Sequence, residues 1–185
     1  MKRVALVCLT LTAAWTAAFA RDVVGQDAAR VRAEVATTLE TAAGKMIALA
    51  EAMPQEAYAW RPAEGVRSVS EVYMHVVGTN YWFPTLIGGE PPESSGVTAD
   101  YASVPPLERE TDKEDIVAGL RASFDYLVAF VRDAPADRLD DDVDMFGQAT
   151  TYRGVLLEIT VHLHEHLGQS IAYARANGVT PPWSR

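Results

Sequence analysis

Cysteine is almost missing from this chain. The single one, Cys8, lies in the first twenty residues. A chain shorn of that segment has no thiol, which excludes disulfides, thiolate-held metals and a cysteine nucleophile. Basic residues are also short: 16 Lys and Arg stand against 25 Asp and Glu, for a formal net charge of -9. Phosphate backbones and anionic lipid surfaces both demand clustered Lys and Arg, so the charge argues against nucleic acid and against membrane docking. Long apolar runs are lacking too. The one near the start, from Val4 to about Ala18, falls short of the roughly 20 residues that span a bilayer. Histidine is scarce as well, at four in 185.

What is present reads as a folded protein. An apolar fraction of 49% excludes a disordered composition, and 185 residues suit one domain with a sizeable core. No internal repeat or low-complexity tract is found. Lys2 and Arg3, the apolar run and Ala18-Phe19-Ala20 together have the layout of a cleaved secretory signal over 1–20, with an uncleaved anchor as the alternative. Val7 before Cys8 does not suit a lipoprotein site. The expected domain is therefore 21–185, exported, periplasmic or secreted, and free of the membrane after cleavage.

Four segments carry helical signals. From about Asp27 to Met53, Val31, Val35, Leu39, Ala42, Met46 and Leu49 recur at three- and four-residue steps, and Pro54 ends the run. From about Val69 to Leu86, Ser68 and Glu71 have the spacing of a capping box, and Val72, His75, Val76, Thr79 and Phe83 share a face. Pro84 marks the end of that helix or a kink in it. From about Asp112 to Asp133, Thr111 and Glu114 suggest a second capping box, with Ile116, Leu120, Phe124, Leu127 and Val131 buried. From about Tyr152 to Ala176, Asn177-Gly178 gives the stop. A Pro- and Gly-rich connection over 88–107 is either a functional lid or a plain crossover. The acidic stretch Asp137 to Asp144 reads as a solvated loop without EF-hand spacing. Strand alternation is missing, apart from a short extended piece at Val143 to Thr151. The expectation is an all-α, four-helix bundle with one long crossover.

Three of the four histidines fall in His162-Leu163-His164-Glu165-His166. On a strand all three would point together. On a helix each residue turns about 100°, so His162 and His166 lie about 40° apart while His164 points away. The steps through Val155, Ile159, His162, His166, Gln169 and Tyr173 favour the helix. A His-x-x-x-His pair on one face is a natural bidentate metal site. It is not a zincin motif, because Leu163 stands where the glutamate is needed. His75 is the remaining histidine and the natural third ligand, although a lone His on an apolar face is often just a core residue. His164 is expected off the metal, exposed or at an interface. Glu71, Glu158, Gln169 and Thr79 are placed to orient the imidazoles, or else serve as ordinary helix-face residues. Trp82, two turns past His75, is placed to wall the cleft.

The chain resembles the DinB superfamily, the YfiT-like or damage-inducible metalloprotein family. Four pieces carry the resemblance. They are Trp60-Arg61-Pro62 with Gly65 and Ser68-Val69-Ser70-Glu71; His75; His162-x-x-x-His166-x-Gly168-Gln169; and Ala176-Asn177-Gly178-Val179 with Pro181-Pro182-Trp183. The resemblance implies an up-down-down-up bundle and one divalent ion on His75, His162 and His166. It also implies enzymes that use a low-molecular-weight thiol, a role at odds with export. Three neutral imidazoles suit zinc first, with nickel or iron as alternatives. An ion so held activates water or a thiol, so a metal-dependent hydrolase or S-transferase acting on an unknown small molecule is expected. The competing reading is a non-catalytic metal-binding module, or a helical interaction module. Leu157, Val161 and His164 widen the apolar arc of the fourth helix enough to admit a homodimer.

Overall fold

A computed structural model describes residues 27–184 with their side chains. Helix α1 is bounded Lys2–Ala52 and enters that range at Asp27. The expected leader, residues 1–20, lies outside the described residues. Three further helices follow: α2 (Val69–Thr85), α3 (Lys113–Arg132) and α4 (Tyr152–Ala176). Between α3 and α4 runs an antiparallel hairpin, β1 (Asp142–Met145) and β2 (Gln148–Thr151), with Asp142 opposite Thr151 and Met145 opposite Gln148. The chain is thus mostly helical with one small sheet, which modifies the all-α expectation at the place where an extended piece was foreseen. No helix among the described residues is long and apolar enough to cross a membrane.

The apolar stripes become one core. Val35, Leu39, Ala42, Met46 and Leu49 of α1 meet Ile116, Leu120, Phe124, Leu127 and Val131 of α3, with Val155, Ile159 and Leu163 of α4 in the same cluster. Helix α1 packs on α3 and α4, and α2 packs on the same two. Of the residues from Val69 to Pro84, all but Glu71 are buried, so α2 is enclosed on every side. Neighbouring helices cover two of its flanks, and the crossover covers another. That crossover is folded into short 3-10 turns at Glu93–Ser95, Tyr101–Ser103 and Pro105–Arg109. It lies directly on α2 because Gly78 has no side chain: a Cβ there would stand 2.6 Å from Val104 Cγ1.

Helix ends follow their local chemistry. At α2 the Ser68 hydroxyl accepts from Glu71 N–H at 3.3 Å while the Glu71 carboxylate accepts from Ser68 N–H at 2.6 Å. At α3 the expected Thr111–Glu114 box does not form. Asp112 is the cap and accepts from Glu114 and Asp115 N–H at 2.8 and 3.2 Å. The Glu110 carboxylate takes the N–H groups of Thr111 and Asp112. A carboxylate one residue later thus satisfies two orphan donors where the threonine would have satisfied one. At the hairpin tip Phe146 and Gly147 have φ of 57° and 80°. Two positive φ angles make a type I′ turn, a conformation that a bulky residue such as Phe adopts only at a cost.

Candidate metal centre

Helix packing brings the three histidines together. His75 projects from the middle of α2 and is 5% exposed. His162 and His166 stand one turn apart on α4, each partly buried. One nitrogen from each ring lies within 4.8 Å of the others. His75 Nε2 is 3.2 Å from His162 Nε2, and the His166 ring sits edge-on to both.

Two of the outward nitrogens are held. His75 Nδ1–H donates to Glu108 Oε1 at 3.1 Å, and His166 Nδ1–H donates to Gln169 Oε1 at 2.9 Å. Glu108 in turn accepts from Arg67 Nε at 2.9 Å. Gln169 Nε2 donates to the Tyr173 hydroxyl at 2.9 Å, and that hydroxyl donates to the Arg67 carbonyl at 3.2 Å. The network therefore closes on itself from His166 through Gln169, Tyr173, Arg67 and Glu108 to His75. Its effect is to fix the tautomer of His75 and His166: with Nδ1 protonated, their Nε2 lone pairs face inward. The His162 ring is not held in this way, so its Nε2 either donates a proton to His75 Nε2 at 3.2 Å or presents a lone pair to a cation between them. Two nitrogens at about 2.1 Å from one tetrahedral ion would be about 3.4 Å apart. The donor set thus fits a divalent ion.

The sequence pattern of the DinB superfamily matches residues 38–170, well over half the chain. The chain belongs to the DinB superfamily. Its fold is similar to that of a DinB-like protein from Bacillus subtilis, at 22% identity and a TM-score of 0.61, covering 80% of this chain and 93% of that one. A DinB-like protein from Bacillus cereus is similar at 21% identity and a TM-score of 0.63, covering 76% of this chain and 89% of that one. No curated protein matches the chain.

In this DinB-superfamily chain the charge state of the site follows from its burial. Loss of solvent, then the nearby Arg67 cation and the neighbouring rings, pushes His75 down to about 3. The same loss of solvent, followed by His166 and Arg67, pushes His162 down to about 4. Burial also lowers His166, against an opposing pull from its Gln169 hydrogen bond. Burial thus disfavours the imidazolium form at all three rings, which leaves each a lone pair to offer.

The other expected residues divide. Gln169 stands at a ring, as described. Glu71 does not orient His75: its carboxylate is taken by Ser68 N–H and by Arg61 Nη2 at 2.8 Å. The carboxylate on His75 belongs to Glu108 instead. Glu158 is half-buried one turn before His162, and among the described residues no hydrogen bond joins it to a histidine. Thr79 donates to the His75 carbonyl at 2.8 Å, which braces the backbone of α2 rather than the ring. His164 is exposed, its Nδ1 at the Thr160 carbonyl, off the site. Trp82 stacks against Phe146 at 5.5 Å and meets Tyr101 edge-on at 5.0 Å, with its indole N–H on the Ala99 carbonyl. Phe83 beside it places a ring 5.1 Å from His162. Sequence reasoning missed Glu108 and Arg67. The only local signal for Glu108 was its place just after Pro105-Pro106, at the end of the long crossover.

Proposed function

We propose that this chain is a divalent-metal protein built as an up-down-down-up four-helix bundle, acting as a hydrolase or transferase on a small molecule. One observation carries the reading: three neutral imidazoles converge their inner nitrogens, two of them backed by hydrogen bonds to Glu108 and Gln169. The residues His75, His162 and His166 would hold the ion, zinc in the first instance, with nickel or iron also suited to such donors. A bound ion of this kind supplies Lewis acidity that lowers the pKa of water toward 7 or holds a thiol as thiolate. Three neutral protein donors leave room for a further ligand, which is the arrangement of catalytic rather than structural sites. Glu108 and Gln169 keep the rings in register, and the Phe83 ring beside His162 keeps that flank of the site apolar. Export remains part of the proposal, on the strength of Lys2, Arg3 and Ala18-Phe19-Ala20. It favours water over a cytosolic thiol as the activated group.

Exposed apolar residues favour a second, compatible reading. Leu157 and Val161 on α4 are 53% and 52% exposed, one turn apart, as a homodimer seam would be.

Elemental analysis of purified protein, beside a His162→Ala, His166→Ala double variant, tests the main reading. About one ion per chain, lost in the variant, is expected. An absence of metal in both proteins after reconstitution would overturn it.

A further inference from the structure

The metal reading leaves one charged group at the site without a task in binding. Arg67 immediately precedes Ser68, the cap of α2, and its backbone carbonyl is pinned by the Tyr173 hydroxyl. Its side chain reaches Glu108, the carboxylate that also holds His75 Nδ1. The Arg67 side chain is 39% exposed whereas Glu108 is 16% exposed, so the guanidinium forms the rim and the carboxylate lies beneath it. The bond to Glu108 engages Nε. It does not engage the two terminal nitrogens, and Tyr101 is a near neighbour of the guanidinium. The same cation acts on all three imidazoles, disfavouring their protonation. Through Glu108, which bonds both its Nε and His75 Nδ1, the guanidinium is held beside the three converging rings.

The charge count around that centre is simple. Three neutral imidazoles add nothing, and Arg67 and Glu108 cancel. A divalent ion on the histidines is then uncompensated, in a chain whose overall charge is -9. The site becomes a positive spot in a negative surface, which concentrates anions locally while the rest of the surface turns them away. A guanidinium with free terminal nitrogens matches carboxylate and phosphate by its planar fork, which an ammonium does not.

We propose that Arg67 binds the anionic group, carboxylate or phosphate, of a small-molecule ligand whose other end reaches the metal. This rests on the metal reading above. It defines the ligand as bifunctional: a metal-seeking end and an anionic end, separated by a short spacer.

The test uses the full chain loaded with cobalt(II), whose visible absorption reports ligand binding. Three hydroxamates serve as probes: butyrohydroxamate, with a methyl end; succinic monohydroxamate, with a carboxylate end; and 3-phosphonopropionohydroxamate, with a phosphonate end. One of the anionic probes is expected to bind at least about ten-fold tighter than butyrohydroxamate, the increment of a charge-assisted hydrogen bond. The tighter of the two names the anion. In Arg67→Gln the ratio of anionic-probe to butyrohydroxamate affinity, both measured on the variant, should fall to about one, and Arg67→Lys should recover part of it. Equal weakening of all probes in Arg67→Gln would assign Arg67 only to holding Glu108 and overturn the proposal. So would a wild-type protein that takes up cobalt and shows no anion preference. Failure to take up cobalt at all would overturn the metal reading, and this inference with it.

Discussion

Replacing Gly78 with alanine sets two effects of opposite sign against each other. In a helix interior alanine is favoured over glycine by about 0.5–1 kcal/mol, so a helix with open space at this position would gain stability. Space is not open here. The added Cβ would meet Val104 Cγ1 at 2.6 Å and Leu107 Cδ1 at 3.3 Å. Ordinary carbon contacts are about 3.5–4.0 Å, so Val104 must retreat by about 1 Å. Val104 is fully buried, and its β-branched side chain has little rotamer freedom with which to yield. Overpacking of this kind costs about 1–3 kcal/mol, which outweighs the helix gain. The expected net loss is about 1–2 kcal/mol, or a fall in Tm of about 2–8 °C for a domain of this size. The strain also reaches the site. The Val104 carbonyl accepts from Leu107 N–H at 3.0 Å, which anchors the turn carrying Glu108. Melting followed by circular dichroism, paired with metal affinity by chelator competition, should show both quantities falling. In a Val104→Ala background the same glycine change should cost nothing or stabilise, since the colliding methyl is gone. A rise in Tm for Gly78→Ala alone would refute the close-contact argument.

Two further outcomes follow from the site. Glu108→Ala removes the acceptor of His75 Nδ1–H and should weaken metal binding about 10–100-fold by chelator competition, while Glu108→Gln, which keeps an acceptor oxygen, should lose less. Metal-free protein should lose stability on acidification. His75 and His162 are depressed to about 3 and about 4 in the folded state. The unfolded chain therefore takes up protons first, near the ordinary histidine value of about 6.5. Their contribution is fully present above that value and is lost as pH falls from there through 4 toward 3. A His75→Gln, His162→Gln variant should show a flatter Tm against pH over that window. An identical slope would show that the two rings are not buried neutral.

The helices and half of the site were legible because they depend on local periodicity. Helix α4 runs Tyr152–Ala176 as the stripe and the Asn177-Gly178 stop require. His162 and His166 share a face because any helix turns about 100° per residue, whatever packs against it. Ser68 with Glu71 marked the start of α2 for the same reason: a capping box closes within four residues. Cap choice at α3 was less legible, since Thr111 and Asp112 both suit a cap and the Glu110 carboxylate decided between them by taking the N–H of Thr111.

What holds the imidazoles was decided by the tertiary fold. Glu71 looked like the partner of His75 because it lies one turn away, yet the capping box and Arg61 already occupy its carboxylate. Glu108, 33 residues distant, takes that place because a 3-10 turn lays the crossover on α2 at Gly78. Arg67 reaches the rim through the same carboxylate, and no periodicity in the sequence points to either residue. Helical spacing is set by backbone geometry over a few residues and can be read directly from the order of side chains. Contacts between a loop and a helix depend on the packing of the whole core, so they exist only once the chain has folded.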